Sequence, residues 1–452
     1  MAVMGLGKSG LSAARVLQRI ETRVYVWDDD PFQRAKATAE GFQVLDLTAT
    51  NWQDIACVVW SPGIPHTFPV PHPVAQSARA AGVSLVCDVE LLMQSELVAR
   101  CVGITGTNGK STTTSLLTHI LTYAKRSVET GGNIGLPVLT LPQLGYDGVY
   151  VIELSSYQLE LTPSLALDVA VLLNISSDHL IRHGGIGGYV AAKRRIFAGL
   201  KRSGTAVLSV DDLNSAALYE SLKGSGFRVI PISVVRPVGG GVYVRNGLLC
   251  DNTNGTMAVA DLTAVTALPG QHNQQNTAAA FATARVLGIE PAVIVAALHT
   301  FQGLAHRQEL VAVIDGVRYV NDSKATNADA AAKAMTCYET LYWILGGRAK
   351  EGGITALSSL FPRVRHAFLI GEASTTFART LLEGHVSYTP CGTLAVAVAQ
   401  ARTLAIRERK TGAVVLLSPA CASWDQFDDF EHRGRVFRRL VAALPGKREN
   451  AP

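Results

Sequence analysis

Gly103-Ile-Thr-Gly-Thr-Asn-Gly-Lys-Ser-Thr-Thr-Thr114 decides the fold of this chain. An apolar run, Cys101–Thr105, enters a glycine-rich turn, and a helix-forming stretch follows. Backbone N–H groups at such a turn, together with the helix N-terminal dipole, make an anion site. Lys110 is placed to reach the β and γ phosphates of a nucleotide, and the Ser111 hydroxyl to bind Mg²⁺. Gly106, Thr107, Asn108, Gly109 and Thr112 line the same turn. The strict pattern G-x-x-x-x-G-K-[ST] is not met, because five residues separate Gly103 from Gly109. The segment is a variant of that loop, written T-G-T-N-G-K-S.

Outward from this loop, short β-branched runs alternate with Ala/Leu-rich stretches. Strands are expected at Arg23–Trp27, Cys57–Trp60, Val83–Val86, Val149–Glu153, Val169–Asn174, Ala206–Val210, Tyr342–Gly346, Ala367–Gly371 and Ala413–Ser418. Such alternation predicts α/β units with parallel sheets. At roughly 100–200 residues per domain, 452 residues make about two to four domains. One boundary falls near Glu96–Arg100, where a complete strand–helix set ends, and another near Gly303–His306. Three domains result: 1–97, Rossmann-like; 98–302, a P-loop-type ATPase domain; and 303–452, again Rossmann-like. Within 211–267 the string VRNGLLCDNTNG reads as hairpin turns, a small antiparallel addition to the middle domain.

Composition narrows the class. Hydrophobic residues are 48% and charged residues 17%, enough for large cores and against disorder. A net charge of +5 suits anionic substrates, and no basic tract with interleaved aromatics suggests nucleic acid. Seven cysteines without a C-x-x-C pair read as reduced core thiols of a cytosolic protein. The first residues, MAVMGLGKSG, lack the pattern of a signal peptide, and no apolar run reaches a membrane span.

Downstream of the loop come Gly131-Gly-Asn-Ile-Gly135, Val151-Ile-Glu-Leu-Ser-Ser-Tyr-Gln158, Asn174-Ile-Ser-Ser-Asp-His179 and Ala191-Ala-Lys193. Glu153 ends an apolar strand, at the carboxyl edge of a parallel sheet where nucleotides sit. With Ser111 it offers the hard oxygen donors that Mg²⁺ requires. His179 follows a second such strand and should lie near the same edge.

The string Thr105–Ser111 resembles the ATP loop of the Mur ligase family, which folylpolyglutamate synthases share. These enzymes phosphorylate a carboxylate with ATP, and an amine then attacks the acyl phosphate. The resemblance implies ATP and two Mg²⁺ ions, held by Ser111, Glu153, His179 and a carbamylated Lys193. It implies Lys110, His179 and Lys193 as catalytic residues, and leaves open whether His179 is a base, a metal ligand or both. Asp178-His-Leu-Ile-Arg-His183 departs from the family's D-H-L-D-R-H, since Ile181 replaces an acid. Leu268-Pro-Gly-Gln-His-Asn-Gln-Gln-Asn276 resembles G-x-H-N-x-x-N and gives Asn276 the adenine contact. Phe301-Gln-Gly-Leu-Ala-His-Arg307 and Val320-Asn-Asp-Ser-Lys-Ala-Thr-Asn327 give Arg307, Asp322 and Lys324 to the nucleotide. Ligands for one ATP then come from two domains, which implies a closing motion that excludes water.

The turn Gly5-Leu-Gly-Lys-Ser-Gly10, with Asp28 ending the next strand, taken alone suggests NAD. UDP also has a pyrophosphate and a ribose, and members of the family that add D-glutamate carry a similar turn and an S-P-G-I segment like Ser61-Pro-Gly63. The resemblance assigns Lys8, Ser9, Asp28, Ser61 and Asn133 to UDP-N-acetylmuramoyl-L-alanine. Leu345-Gly-Gly-Arg-Ala-Lys350 and Leu417-Ser-Pro-Ala-Cys-Ala-Ser-Trp-Asp-Gln-Phe427 match that same branch, and place Thr326, Lys350, Ser423 and Phe430 around D-glutamate. A cytoplasmic, monomeric ligase of wall-precursor synthesis is expected. The rivals are a folate-type ligase or a different muramyl ligase, an NAD-dependent dehydrogenase fused to an ATPase, and a silent UDP-binding regulator.

Overall fold

The computed structural model describes residues 1–95, 97–350 and 352–449. Three sheets account for the alternating pattern. The first has five parallel strands in the order Gln43–Val44, Tyr25–Trp27, Ala2–Met4, Cys57–Trp60, Ser84–Val86. Strand order reverses at Ala2–Met4, so a crevice opens at its carboxyl end, beside the turn Gly5–Gly7.

The second sheet has nine strands, in the order Met257–Asp261, Leu248–Asp251, Val242–Arg245, Arg228–Ser233, Leu200–Ser209, Leu167–Leu172, Arg100–Thr105, Val149–Glu153, Val128–Gly132. It is parallel from Val128–Gly132 through Val242–Arg245, and antiparallel beyond. Val149–Glu153 is buried at every residue, as expected of a strand covered on both faces. The expected hairpin is present: Asn246 and Gly247 have φ of 52° and 81° and join Arg245 to Leu248 in register. The strands extend the nine-stranded sheet, because Val242–Arg245 pairs directly with Arg228–Ser233.

These elements form one compact unit, Met1–Leu262 with Asn273–Thr300. The first two sheets share a continuous core, in which Trp60, Cys87 and Leu92 belong to the same cluster as Leu144, Tyr150 and Leu159. The other unit is Thr263–His272 with Phe301–Pro452. Its described residues form a seven-stranded sheet in the order Tyr388–Gly392, Val364–Ile370, Thr340–Gly346, Ala413–Leu417, Val317–Asn321, Glu309–Ile314, Arg448–Glu449. The first five strands of that order are parallel, and the last two are antiparallel to their neighbours.

Most expected strands fall within a residue or two of their positions. The strand expected at Val169–Asn174 ends at Leu172, which leaves Asn174 off the ladder. The strand expected from Ala206 begins at Leu200 and is bulged before Thr205. The Asn and Gln residues of the segment Leu268–Asn276 form the first turns of a helix, Gln271–Val286. Of the first boundary, near Glu96–Arg100, Glu96 lies outside the described residues. All seven cysteines are free thiols, and Cys87, Cys101, Cys250 and Cys421 are buried. Among the described residues no helix is long and apolar enough to cross a membrane.

Candidate active site

Strand Arg100–Thr105 delivers the phosphate loop to the sheet edge, and helix Lys110–Tyr123 leaves it. Gly109 caps that helix with φ 87°, a conformation a side chain would strain, and a Cβ there would meet the Asn276 amide. Asn174, released from its strand, brackets Asn108. Its Oδ1 accepts from the Asn108 N–H at 2.9 Å, and its Nδ2 donates to the Asn108 carbonyl at 3.1 Å. The Thr107 N–H donates to the Asn174 carbonyl at 2.9 Å. Lys110 Nζ donates to the Gly106 and Thr107 carbonyls, both at 2.9 Å, so its charge is held over the loop. Ser111 and Thr112 are buried in the first turn. Asn276 is buried too, accepting from Thr113 Oγ1 at 3.3 Å and donating to Asn273 Oδ1 at 3.0 Å. Helix Gln271–Val286 is thereby tied to the loop.

Lys193 comes from helix Ile186–Ala198 and is 1% exposed. Its Nζ donates to the Gly106 carbonyl at 2.8 Å and to Thr105 Oγ1 at 3.3 Å, and sits 4.7 Å from the centre of the Tyr189 ring. Burial, and then the charge of Lys110, push this amine well below the ordinary lysine range. Glu153 is equally buried. Its Oε1 accepts from Asn133 Nδ2 at 2.7 Å, whereas Oε2 has no hydrogen-bond partner. A buried carboxylate oxygen left bare is costly unless a cation meets it. Glu153 and the Ser111 hydroxyl, both buried, are the hard oxygen donors that a divalent ion takes. Among the described residues no three His, Cys, Asp or Glu are grouped as a ready-made metal cage.

His179 lies at φ 53° at the start of the short helix Leu180–His183. Its ring packs 5.2 Å from that of Tyr157, with Nε2 3.4 Å from Asp178 Oδ2. Burial lowers its pKa, helped by Lys110, His183 and Lys193 and opposed by Asp178. The imidazole is therefore neutral near pH 7, as either a ligand or a base requires. Ile181 is an exposed apolar residue, in keeping with no polar role at that position.

No motif points to what lies behind His179. Arg182 reaches across to the first sheet's loop, donating to the carbonyls of Ile64 at 2.8 Å, Phe68 at 3.2 Å and Pro62 at 3.3 Å. His183 Nδ1 bonds Glu160 Oε1 at 3.0 Å, while His66 Nε2 lies 3.2 Å from Oε2, an ion-pair distance off the line of a hydrogen bond. Desolvation alone would raise the Glu160 carboxyl. The contacts from His183 and His66 outweigh it and bring the group from 4.5 down to about 2. A carboxyl depressed on folding stabilises fully above its unfolded pKa and loses that contribution as pH falls through the folded value. Glu160→Gln should therefore lower the melting temperature at neutral pH. Its gap from the parent protein should close as pH drops from 4.5 towards 2, and a gap constant over that range would contradict the bridge.

At the first sheet, the Leu6 N–H donates to Asp28 Oδ2 at 2.6 Å and the Asp30 N–H to Oδ1 at 2.9 Å, so Asp28 shapes the glycine turn. Lys8 lines a cavity of about 870 Å³ with Arg15, Arg19, Lys36 and Gly135, a basic wall suited to a diphosphate. Ser9 and Ser61 face elsewhere, into a small cleft with Asp88. Lys8 and Ser9 thus line different openings, because successive residues of a helical turn point in different directions.

The other unit holds the remaining candidates. Asp322 accepts from the Gln308 N–H at 3.1 Å and from Ser418 Oγ at 2.8 Å, and burial raises it to about 7. Lys324 Nζ lies 4.6 Å from the centre of the Phe430 ring. The Thr326 N–H donates to the Lys324 carbonyl at 2.8 Å, and the Ala420 N–H to the Ala325 carbonyl at 2.9 Å. Arg348 and Ala422 exchange backbone bonds at 2.9 and 3.0 Å, joining the loop of Lys350 to that of the buried Ser423. Arg433, fully buried, pins Ser323 and Cys421 together through Ser323 Oγ, Ser323 O and Cys421 O. Nothing marked it among the arginines of its helix. Arg307 lies just before strand Glu309–Ile314 and its backbone N–H donates to the Leu304 carbonyl at 3.2 Å.

Residues 104–284 match the Mur ligase middle domain. The chain is 54% identical over 458 residues to the UDP-N-acetylmuramoylalanine–D-glutamate ligase of Rhodospirillum rubrum, covering 100% of this chain and 96% of that protein. It is 50% identical over 452 residues to the enzyme of the same name from Caulobacter vibrioides, covering 98% and 96%. Among solved structures, UDP-N-acetylmuramate-alanine ligase from Thermotoga maritima aligns with a TM-score of 0.59 at 16% identity, over 98% and 99% of the two chains. That likeness shows the fold. Full-length identity of this order leaves one conclusion: the chain belongs to the UDP-N-acetylmuramoylalanine–D-glutamate ligase family, within the Mur ligases.

Proposed function

We propose that the chain joins D-glutamate to UDP-N-acetylmuramoyl-L-alanine at the expense of ATP, in the cytoplasm and as a monomer. The observation that carries this reading is the phosphate loop with a buried, bare carboxylate oxygen and a buried amine beside it, in a chain with end-to-end relatives of that name. In this reading residues 1–97 hold the UDP moiety, 98–302 hold ATP, and 303–452 hold D-glutamate.

The L-alanine carboxylate attacks the γ-phosphorus, ADP leaves, and an acyl phosphate forms. The D-glutamate amine then attacks the acyl carbon, phosphate leaves, and the amine loses a proton. Lys110 neutralises charge on the transferring group. Gly106, Thr107, Asn108, Gly109 and Thr112 line the phosphates, Asn276 meets adenine, and Arg307, Asp322 and Lys324 add nucleotide contacts. Ser111, Glu153, His179 and Lys193, the last as a carbamate, would hold two magnesium ions, which supply neutralising charge to the phosphoryl oxygens. A depressed lysine amine keeps the lone pair that carbon dioxide needs. His179, neutral, can accept the amine proton. Lys8, Ser9, Asp28, Ser61 and Asn133 hold the UDP substrate, and Thr326, Lys350, Ser423 and Phe430 hold D-glutamate.

The test is phosphate release from magnesium-ATP with UDP-N-acetylmuramoyl-L-alanine, offering D-glutamate, L-glutamate and L-lysine in turn. Release with D-glutamate alone is expected. Release with another amine would move the substrate, and no release with any would overturn the ligase reading.

A further inference from the structure

Asn133 stands between the buried Glu153 carboxylate and the loop that reaches Gly135. Strand Val128–Gly132 runs beside Val149–Glu153, and the two end together. Gly132 has φ 103°, and a Cβ there would collide with the Glu153 carbonyl, so the backbone lies flat against the end of its neighbour. Asn133 is then fastened at two points: its N–H donates to the Glu153 carbonyl at 2.9 Å, and its Nδ2 to Glu153 Oε1 at 2.7 Å. Glu153 is 1% exposed, whereas Asn133 is an exposed residue. A side-chain amide has two N–H donors and a carbonyl oxygen. One donor is on Glu153, and the rest of the amide is free for a ligand. Two residues on, Gly135 lines the basic cavity shared with Lys8.

We propose that Asn133 is a positioning residue through which the bound UDP substrate orients the Glu153 carboxylate for the metal-nucleotide. The inference rests on the function proposed above. A diphosphate oxygen accepting the second N–H fixes the Asn133 rotamer. The first N–H then fixes Oε1, which leaves Oε2 directed at the cation. Ordering one side chain serves both ligands, so whichever binds first eases the other. Linkage makes the effect reciprocal.

The experiment is calorimetric titration of magnesium-ADP, magnesium in excess, with and without saturating UDP-N-acetylmuramoyl-L-alanine. No turnover occurs with ADP, so the readout is independent of activity. In the parent protein the UDP substrate should tighten magnesium-ADP by about fivefold, and the reverse titration should give the same factor. Asn133→Ala and the similarly shaped Asn133→Leu should both bring that factor to about one, and both should melt lower than the parent protein to a similar degree, because Glu153 Oε1 loses its donor. A role in shape alone would keep the coupling in Asn133→Leu, and that result would overturn the proposal. Both ligands binding to the parent protein without coupling would overturn it while leaving the ligase reading intact. Absence of UDP-substrate binding to the parent protein would overturn both.

Discussion

Lys110→Ala should reduce turnover by about a thousandfold while leaving the affinity for UDP-N-acetylmuramoyl-L-alanine unchanged. The large effect follows from where the charge sits. Lys110 Nζ is clamped by the Gly106 and Thr107 carbonyls at the mouth of the phosphate loop. A cation held this way needs no reorganisation when charge develops on a transferring phosphoryl group. Of the UDP candidates, Lys8 and Asp28 lie elsewhere, around the first sheet's glycine turn and its basic cavity. Single-turnover phosphate release and calorimetric binding of the UDP substrate separate the two effects. Loss of both in the variant would contradict two separate sites.

Lys193→Met is the second large effect, and it acts in opposite directions on activity and stability. The amine is 1% exposed, and burial drives its pKa down. Keeping it there costs folding free energy at any pH below the unfolded lysine value, because the unfolded chain holds a proton that the folded chain resists. Methionine fills similar space without that cost. With carbon dioxide excluded, so that Lys193 stays a free amine, the variant should melt at a higher temperature than the parent protein at neutral pH, and its advantage should shrink as pH rises towards about 10. Turnover should fall by about a hundredfold or more, the size of effect seen when one preorganised group is lost from such a site. Scanning calorimetry with the phosphate-release assay reads both. A variant both less stable and fully active would show Lys193 to be ordinary packing.

Much of this was legible in the sequence because parallel strands buried on both faces write themselves as unbroken apolar runs. Val149–Glu153 and Cys57–Trp60 were placed to the residue. The phosphate loop was legible because glycine, lysine and serine are each needed at one spot for one reason. The buried surroundings of His179 were not, since Glu160, His66 and His183 come from three separate stretches and meet only in the fold. The division of Lys8 from Ser9 was equally hidden, because a motif lists neighbours without saying which way they point. The antiparallel strands after Gly241 were foreseen as a hairpin, but attachment to the nine-stranded sheet depends on pairing at Ile232↔Val242, which no local pattern encodes.

The core shared by the first two sheets bears on how the protein can be taken apart. Severing the chain after residue 97 would divide that cluster, parting Trp60 and Leu92 from Tyr150 and Leu159. Arg182 and Glu160 would lose the partners that make their burial tolerable. Neither fragment would be a self-sufficient building block. The part that carries the first sheet cannot be treated as a detachable module for grafting onto another enzyme, and melting should run through both sheets as one cooperative transition.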